Sequence, residues 1–234
     1  MPARSLILLP PSEGKAAGGS GPPWQPGTMA VAGLDDARRR VLGALGRRHP
    51  AATEPTLPAI ERYTGVLYRE LDAASLHGTA RTRLRRDVRI VSGLWGLVAP
   101  GDPIPDYRLK MSARLEPLGR LSTWWRPQIT AALAPQVRGA VVWDLLPNEH
   151  AAAVDWSALA PRRRVTVRFV DADDRTVSHW NKLLKGSIVR WLAETGNRDP
   201  LALAELDHPQ GYRLDPAATT EDGSTLGLVL RAPA

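Results

Sequence analysis

The chain of 234 residues contains no cysteine. That excludes disulfides, thiolate-held zinc or iron–sulfur centres and a cysteine nucleophile. Its five histidines, His49, His77, His150, His179 and His208, stand in no metal-ligand spacing such as H-E-x-x-H, so neither a metal site nor a cofactor is expected. No apolar run is long enough to cross a bilayer, and residues 5–10 are too short for a signal-peptide core. A cytoplasmic protein without a membrane partner is expected. Phenylalanine is nearly absent too, one against eight tryptophans, so indoles must do most of the aromatic packing in a core of Leu, Val and Ala. Their other use would be a stacking platform for bases.

What is present suits one sizeable core. The chain is 43% hydrophobic, and nothing in its composition divides it, so residues 1–234 read as a single domain. Thirty-one Lys and Arg against 24 Asp and Glu give a net charge of +7. Such a balance favours an anionic partner, DNA or a nucleotide-like anion, although many of the arginines are scattered.

Three segments read as buried strands. The first, Ser5-Leu-Ile-Leu-Leu, is stopped by Pro10 and Pro11, which lack ladder donors. The loop after it offers the Ser12 hydroxyl, the Glu13 carboxylate and the Lys15 ammonium at a strand end, where open α/β sheets bind ligands. It lacks the spacing of a P-loop. The second strand, residues 88–91, runs into a Gly-Leu-Trp-Gly turn and a Pro/Gly/Asp loop before Tyr107, Arg108, Lys110 and Arg114. The third, residues 139–146, stops at Pro147-Asn148-Glu149-His150. Because Glu149 and His150 are adjacent, an extended or turn backbone would aim only one of them into a given cleft. Residues 164–170 alternate as a further strand, followed by an acidic turn over 171–175.

Helical spacing marks residues 34–45, closing near Gly46, residues 121–133, with a break or kink at Pro127, and residues 176–194, closing at Gly196. Arg38-Arg39-Arg40 reads mostly as a solvated face, and Arg81, Arg83, Arg85 and Arg86 form a basic patch ahead of the second strand. At 100° per residue the last helix places Val177, Trp180, Leu184, Ile188 and Trp191 on one side. Ser178, Lys182, Lys185 and Gly186 fall opposite, with His179 and Arg190 at the margin. A turn over 207–212 leads to a short strand that residues 225–230 could pair with at the sheet edge.

Several of these stretches are similar to motifs of the bacterial YaaA family of peroxide-stress proteins. Ser92-Gly93-Leu94-Trp95-Gly96, then Pro100, Asp102 and Tyr107-Arg108-Leu109 with Met111, resemble its S-G-L-Y-G, P-x-D and Y-R-L-x-M. The N-terminal strand with its P-S-E-G-K resembles the family's strand and S-P-A-K, residues 63–68 its G-x-V-Y, and Lys182, Lys185, Gly186 and Arg190 its K-x-x-R-G-x-x-x-R. The match is collinear from Leu6 to Tyr212, and it departs at the added Glu13, at Trp95 for Tyr and at Lys185 for Arg. The resemblance implies a single compact α/β (α+β) domain, with a mixed central sheet flanked by helices and a helix-hairpin-helix-like element. It also implies limitation of oxidative damage to DNA and DNA binding through a cationic cleft.

Two functions are therefore expected to compete. One is DNA binding through the basic surfaces. The other is an enzyme or binder acting on a nucleotide, nucleoside or related anion. There Glu13 and Glu149 would handle protons, and Ser12, Lys15, Tyr68, Trp95, Tyr107, Arg108, Lys182, Lys185 and Arg190 would bind the anion or substrate. If the three buried strands are parallel, their loops open on one sheet edge, and Ser12, Lys15, Arg108, Glu149 and Lys182 should share one cleft.

Overall fold

Branched and aliphatic residues without interruption make strands that bury both faces, and such strands occupy the centre of parallel sheets. The structure, a computed structural model, describes residues 4–46, 49–171, 173–176 and 181–233, with Asn181 and Lys182 described at the backbone only. Among these residues Ser5–Leu9 (β1), Val88–Ser92 (β2), Val141–Asp144 (β4), Arg163–Val170 (β5) and Thr225–Arg231 (β8) form a parallel array. Gly96–Val98 (β3) returns antiparallel from β2 across the Gly93–Trp95 turn. Arg213–Leu214 (β6) and Thr220–Asp222 (β7) pair antiparallel with β8. The result is an eight-stranded mixed sheet in a single α/β domain. The C-terminal strand β8 is not at the edge; its whole length pairs with β5, and β6 and β7 lie outside it.

The parallel strands run β2-β1-β4-β5-β8 across the sheet. The chain leaves β1 toward β2 on one side and then crosses to β4 on the other. The gap between the C-terminal ends of β1 and β4 is thus the topological switch point, where doubly wound sheets open a crevice.

Helices flank the sheet. Asp35–Leu45 (α1) opens with two acidic residues and ends at Gly46. Leu121–Val137 (α4) runs through both Pro127 and Pro135 as one helix, so Pro127, where a break or kink was expected, does not interrupt it. Asn181–Thr195 (α5) packs on Val66–Leu71 (α2) and Gly78–Asp87 (α3), and Gly196 closes it in the left-handed region at φ +67°. The expected start of α5 over residues 177–180, with Ser178 and His179, lies outside the described residues. Three indoles, Trp95, Trp125 and Trp143, are fully enclosed, which puts them in the core and leaves them no face for stacking bases.

Two readings of charge need refining. Arg39 and Arg40 are exposed, in keeping with a mostly solvated run, and Arg47 and Arg48 lie outside the described residues. Arg38 is wholly buried; it pairs with Asp35 at 2.7 Å and donates to the carbonyls of Val31, Trp95 and Leu97. Among the described side chains, the opposite face of α5 is turned inward as well. Gly186 and Ser187 are buried, Lys185 donates to the Leu145 carbonyl at 3.1 Å, and Arg190 bonds the Leu71 carbonyl and the Ser75 hydroxyl. A helix pressed on two others spends its inner cations on carbonyls that would otherwise be unsatisfied.

Candidate functional site

The first wall of the site is the loop after β1. Pro10 and Pro11 end the ladder, and the Tyr68 hydroxyl fixes the exit by donating to the Pro10 carbonyl at 2.7 Å. Residues 14–16 then run antiparallel to residues 62–64, with Thr64 N donating to Gly14 O at 3.1 Å and Ala16 N to Arg62 O at 2.8 Å. Buried Arg62 returns a bond to the Ala16 carbonyl and holds those of Ile104 and Pro55, so this loop is clamped from behind. A Cβ on Gly65 would lie 2.6 Å from that of Ser12, so only glycine lets the two segments meet.

The second wall comes from the segment after β3. Tyr107 is buried, and its hydroxyl lies 2.7 Å from both the Tyr63 hydroxyl and Ser92 Oγ. Ser92 Oγ also accepts from the backbone N–H groups of Leu94 and Trp95, so it fixes the turn and Tyr107 together. Enclosure pushes the Tyr107 phenol up to about 12, which keeps it neutral at physiological pH. At Gly93 a Cβ would stand 2.8 Å from the Leu109 carbonyl, so this glycine lets the second wall lie against the turn.

The third wall follows β4. Asp144, buried, accepts from Leu146 N at 3.2 Å and from Arg164 at 2.6 Å, and Asn148–Ala151 forms one helical turn. Successive residues of a helical turn are about 100° apart rather than opposite. Glu149 and His150 therefore both face the crevice, with 3.4 Å between Oε1 and Nδ1, contrary to the expectation that only one would.

These walls enclose a cavity of about 570 Å3 at the switch point. Ser12, Glu13, Lys15, Tyr107, Arg108 and Glu149, all sought as site residues from the sequence, line it. Lys110 and His150 line it as well, with Pro10, Pro11, Leu109 and Pro147 as an apolar rim. Glu13 and Lys110 pair at 2.9 Å across its mouth, both well exposed. Lys15 is half-buried, with Nζ 4.3 Å from the centroid of the Tyr107 ring and 3.1 Å from the Ser12 carbonyl.

The other candidates are not brought into the cavity. Tyr68 and Trp95 stand behind it, Tyr68 holding Pro10 and Trp95 packing edge-on to Tyr107 at 6.5 Å between ring centres. Lys185 holds the carbonyl of Leu145, two residues before Pro147, and Arg190 lies at the α2 end. Lys182 lies on α5, with its side chain outside the described residues. The supporting roles of Ser92, Tyr63 and Arg62 were missed, since the hydroxyls and guanidinium meet their partners only in the folded chain. No group of three or more metal-ligating side chains forms among the described residues, and no described helix is long and apolar enough to cross a membrane.

Fold and site together define a doubly wound α/β protein whose crevice carries hydroxyl, carboxylate and cationic groups from three separate loops. Residues 37–218 match the family model described as Peroxide stress protein YaaA. A UPF0246 protein of Streptomyces coelicolor is 39% identical over 95% of this chain and 96% of its own length. A UPF0246 protein of Corynebacterium glutamicum is 35% identical over 80% of this chain and 84% of its own, and one of Corynebacterium efficiens is 32% identical over 96% and 100%. The chain belongs to the YaaA family of peroxide stress proteins.

Proposed function

We propose that the switch-point crevice binds an anionic small molecule of the nucleotide or nucleoside kind, or a related anion, and that Glu13 and Glu149 handle protons there. One observation carries this reading: Ser12, Lys15, Arg108 and Glu149 reach a single cavity of about 570 Å3 from three loops remote in sequence. A surface that coats DNA has no need of such convergence, whereas a pocket consists of it. Arg108 and Lys15 supply the cationic side, the Ser12 hydroxyl and nearby backbone the neutral polar contacts, and the proline rim an apolar seat.

The test is a thermal-shift panel of nucleotides, nucleosides and sugar phosphates on the intact protein. A ligand at 100 times its Kd stabilises by about 2.7 kcal/mol, which a melting curve resolves readily. Arg108→Ala should weaken that ligand roughly tenfold or more, the usual loss for a charge-assisted hydrogen bond. A panel without any shift at millimolar concentration, or a shift that Arg108→Ala leaves intact, overturns the reading.

DNA binding, with the helix-hairpin-helix-like element that the family resemblance implies, is the second reading. It is favoured by Arg81 and Arg85 on α3, which are exposed and make no side-chain hydrogen bond or ion pair among the described residues. Arg83 and Arg86 support it less, because Arg83 donates to the carbonyls of Ala193 and Glu194, and Arg86 pairs with Asp87. Under this reading, Arg81→Glu with Arg85→Glu weakens duplex binding and lowers the salt slope by about 2, one phosphate contact per arginine. An unchanged slope removes it.

A further inference from the structure

The basic residues of this chain are nearly all arginine: 27 of 31, with lysine only at 15, 110, 182 and 185. Arginine is thus this chain's usual cation. Lysine adds one property, an amine that can lose its proton and attack, which a guanidinium cannot do.

Among the described side chains, Lys15 and Lys110 share the crevice, and their surroundings differ. Lys110 is exposed and paired with Glu13 at 2.9 Å, a bond that holds its ammonium charged. Lys15 has no carboxylate within ion-pair distance among the described residues; its Nζ rests against the face of Tyr107 and donates to the Ser12 carbonyl. Burial pulls its pKa down, and Arg108 and Arg62 act in the same direction, against the carboxylates of Asp106 and Glu13. The Tyr107 face by itself favours the ammonium, but an amine half-buried in a cavity and beside a guanidinium is a setting in which lysines become nucleophiles. Lys185 also feels burial, but its amine is bound to the Leu145 carbonyl outside the cavity.

We propose that Lys15 takes the carbonyl carbon of an anionic aldehyde or ketone as an imine, with Arg108 holding the ligand's anionic group. This rests on the anion-binding reading of the same crevice and narrows its ligand class. The free amine adds to the carbonyl carbon, and the carbonyl π pair moves to oxygen, which takes up a proton. The nitrogen of the adduct meanwhile gives up its first proton, which yields the neutral carbinolamine. A second proton, delivered to the hydroxyl by Glu149 or solvent, lets the C–O bond break and water leave. The nitrogen lone pair forms C=N, and the nitrogen returns its last proton to Glu149 or solvent. Amine and carbonyl become imine and water, and no oxidant or reductant enters.

The experiment uses glyoxylate, a small anionic aldehyde, with cyanoborohydride to reduce any imine in place, followed by peptide mapping of carboxymethyl adducts. Only four side-chain amines compete, which makes the map unambiguous. Lys15 is expected to be modified at least tenfold faster than Lys110, and Arg108→Ala should lower that preference severalfold. A parallel calorimetric titration with AMP and inorganic phosphate, neither of which can form an imine, reports anion binding by itself. Equal labelling of Lys15 and Lys110 while either anion still binds overturns the nucleophile and leaves the anion pocket. Equal labelling with no anion binding overturns both. Because the labelling pattern is read on the unaltered protein, a variant that fails to fold does not decide the outcome.

Discussion

At the scale of single residues, the instructive side chain is Arg38. Within the run Arg38-Arg39-Arg40 it looked like its neighbours, yet the helical period already set it apart. Leu34, Arg38, Val41 and Leu42 fall at i, i+4, i+7 and i+8, the apolar stripe of α1, and all four are buried. A charge on that stripe must find partners, and this one finds Asp35 and three carbonyls. Arg38→Met should therefore cost about 3–5 kcal/mol, because it leaves a buried carboxylate uncompensated, while Arg39→Met, at an exposed pair, should cost little. Denaturant unfolding of the two variants checks this; equal midpoints would refute it. The site residues follow a similar division. That Ser12, Lys15 and Glu149 would line the crevice was legible because each follows closely on a buried strand, whereas Arg108 reaches it through a segment ten residues long after β3. Trp95 and Tyr68 sit in equally marked motifs but serve packing and loop anchoring, a distinction that spacing in sequence does not carry.

At the scale of elements, the buried strands were the most readable parts, since β1 and β4 are mainly apolar runs bounded by proline, glycine or charge, and β2 buries Val88, Ile90 and Val91 around the single Arg89. The long helix α5 was readable at its C-terminal end, which Gly196 closes, but not at its start, since Thr176 bridges to Val170 instead, and not in orientation. Its period separates two faces, and the sequence gives no sign that α2 and α3 would press on the cationic one. The clamp between the first loop and residues 62–65 was also invisible, because it depends on a backbone approach across more than forty positions. It carries a clear expectation. Gly65→Ala drives a methyl group onto Ser12, so the β1 loop must shift, and overpacking of this sort typically costs 1–3 kcal/mol. Ligand affinity in the thermal-shift assay should fall in step with the melting temperature. Unchanged affinity in a folded Gly65→Ala protein would show that the clamp does not position Ser12.

At the scale of the whole molecule, three buried tyrosines couple stability to alkaline pH. Enclosure raises the phenols of Tyr63, Tyr68 and Tyr107, so all three stay protonated in the folded chain after they would ionise in the unfolded one, near pH 10. Their contribution is fully present below pH 10 and declines as pH rises toward the folded values, for Tyr107 about 12. Each adds a loss of about 1.4 kcal/mol per pH unit across its own window. Urea midpoints between pH 9 and pH 11 should fall steeply, and Tyr107→Phe should flatten the decline by one tyrosine's share; a slope identical in both proteins would contradict this. The doubly wound strand order could not be read from the sequence, since it depends on which neighbour each strand finds. That order also bears on how the protein is made. The strand β8 pairs along the full length of β5 inside the sheet, yet it follows all the other described strands in the chain. Until β8 is made, a nascent chain presents the unpaired backbone edge of β5 to its surroundings, a template for wrong pairing that the later synthesis of β8 covers.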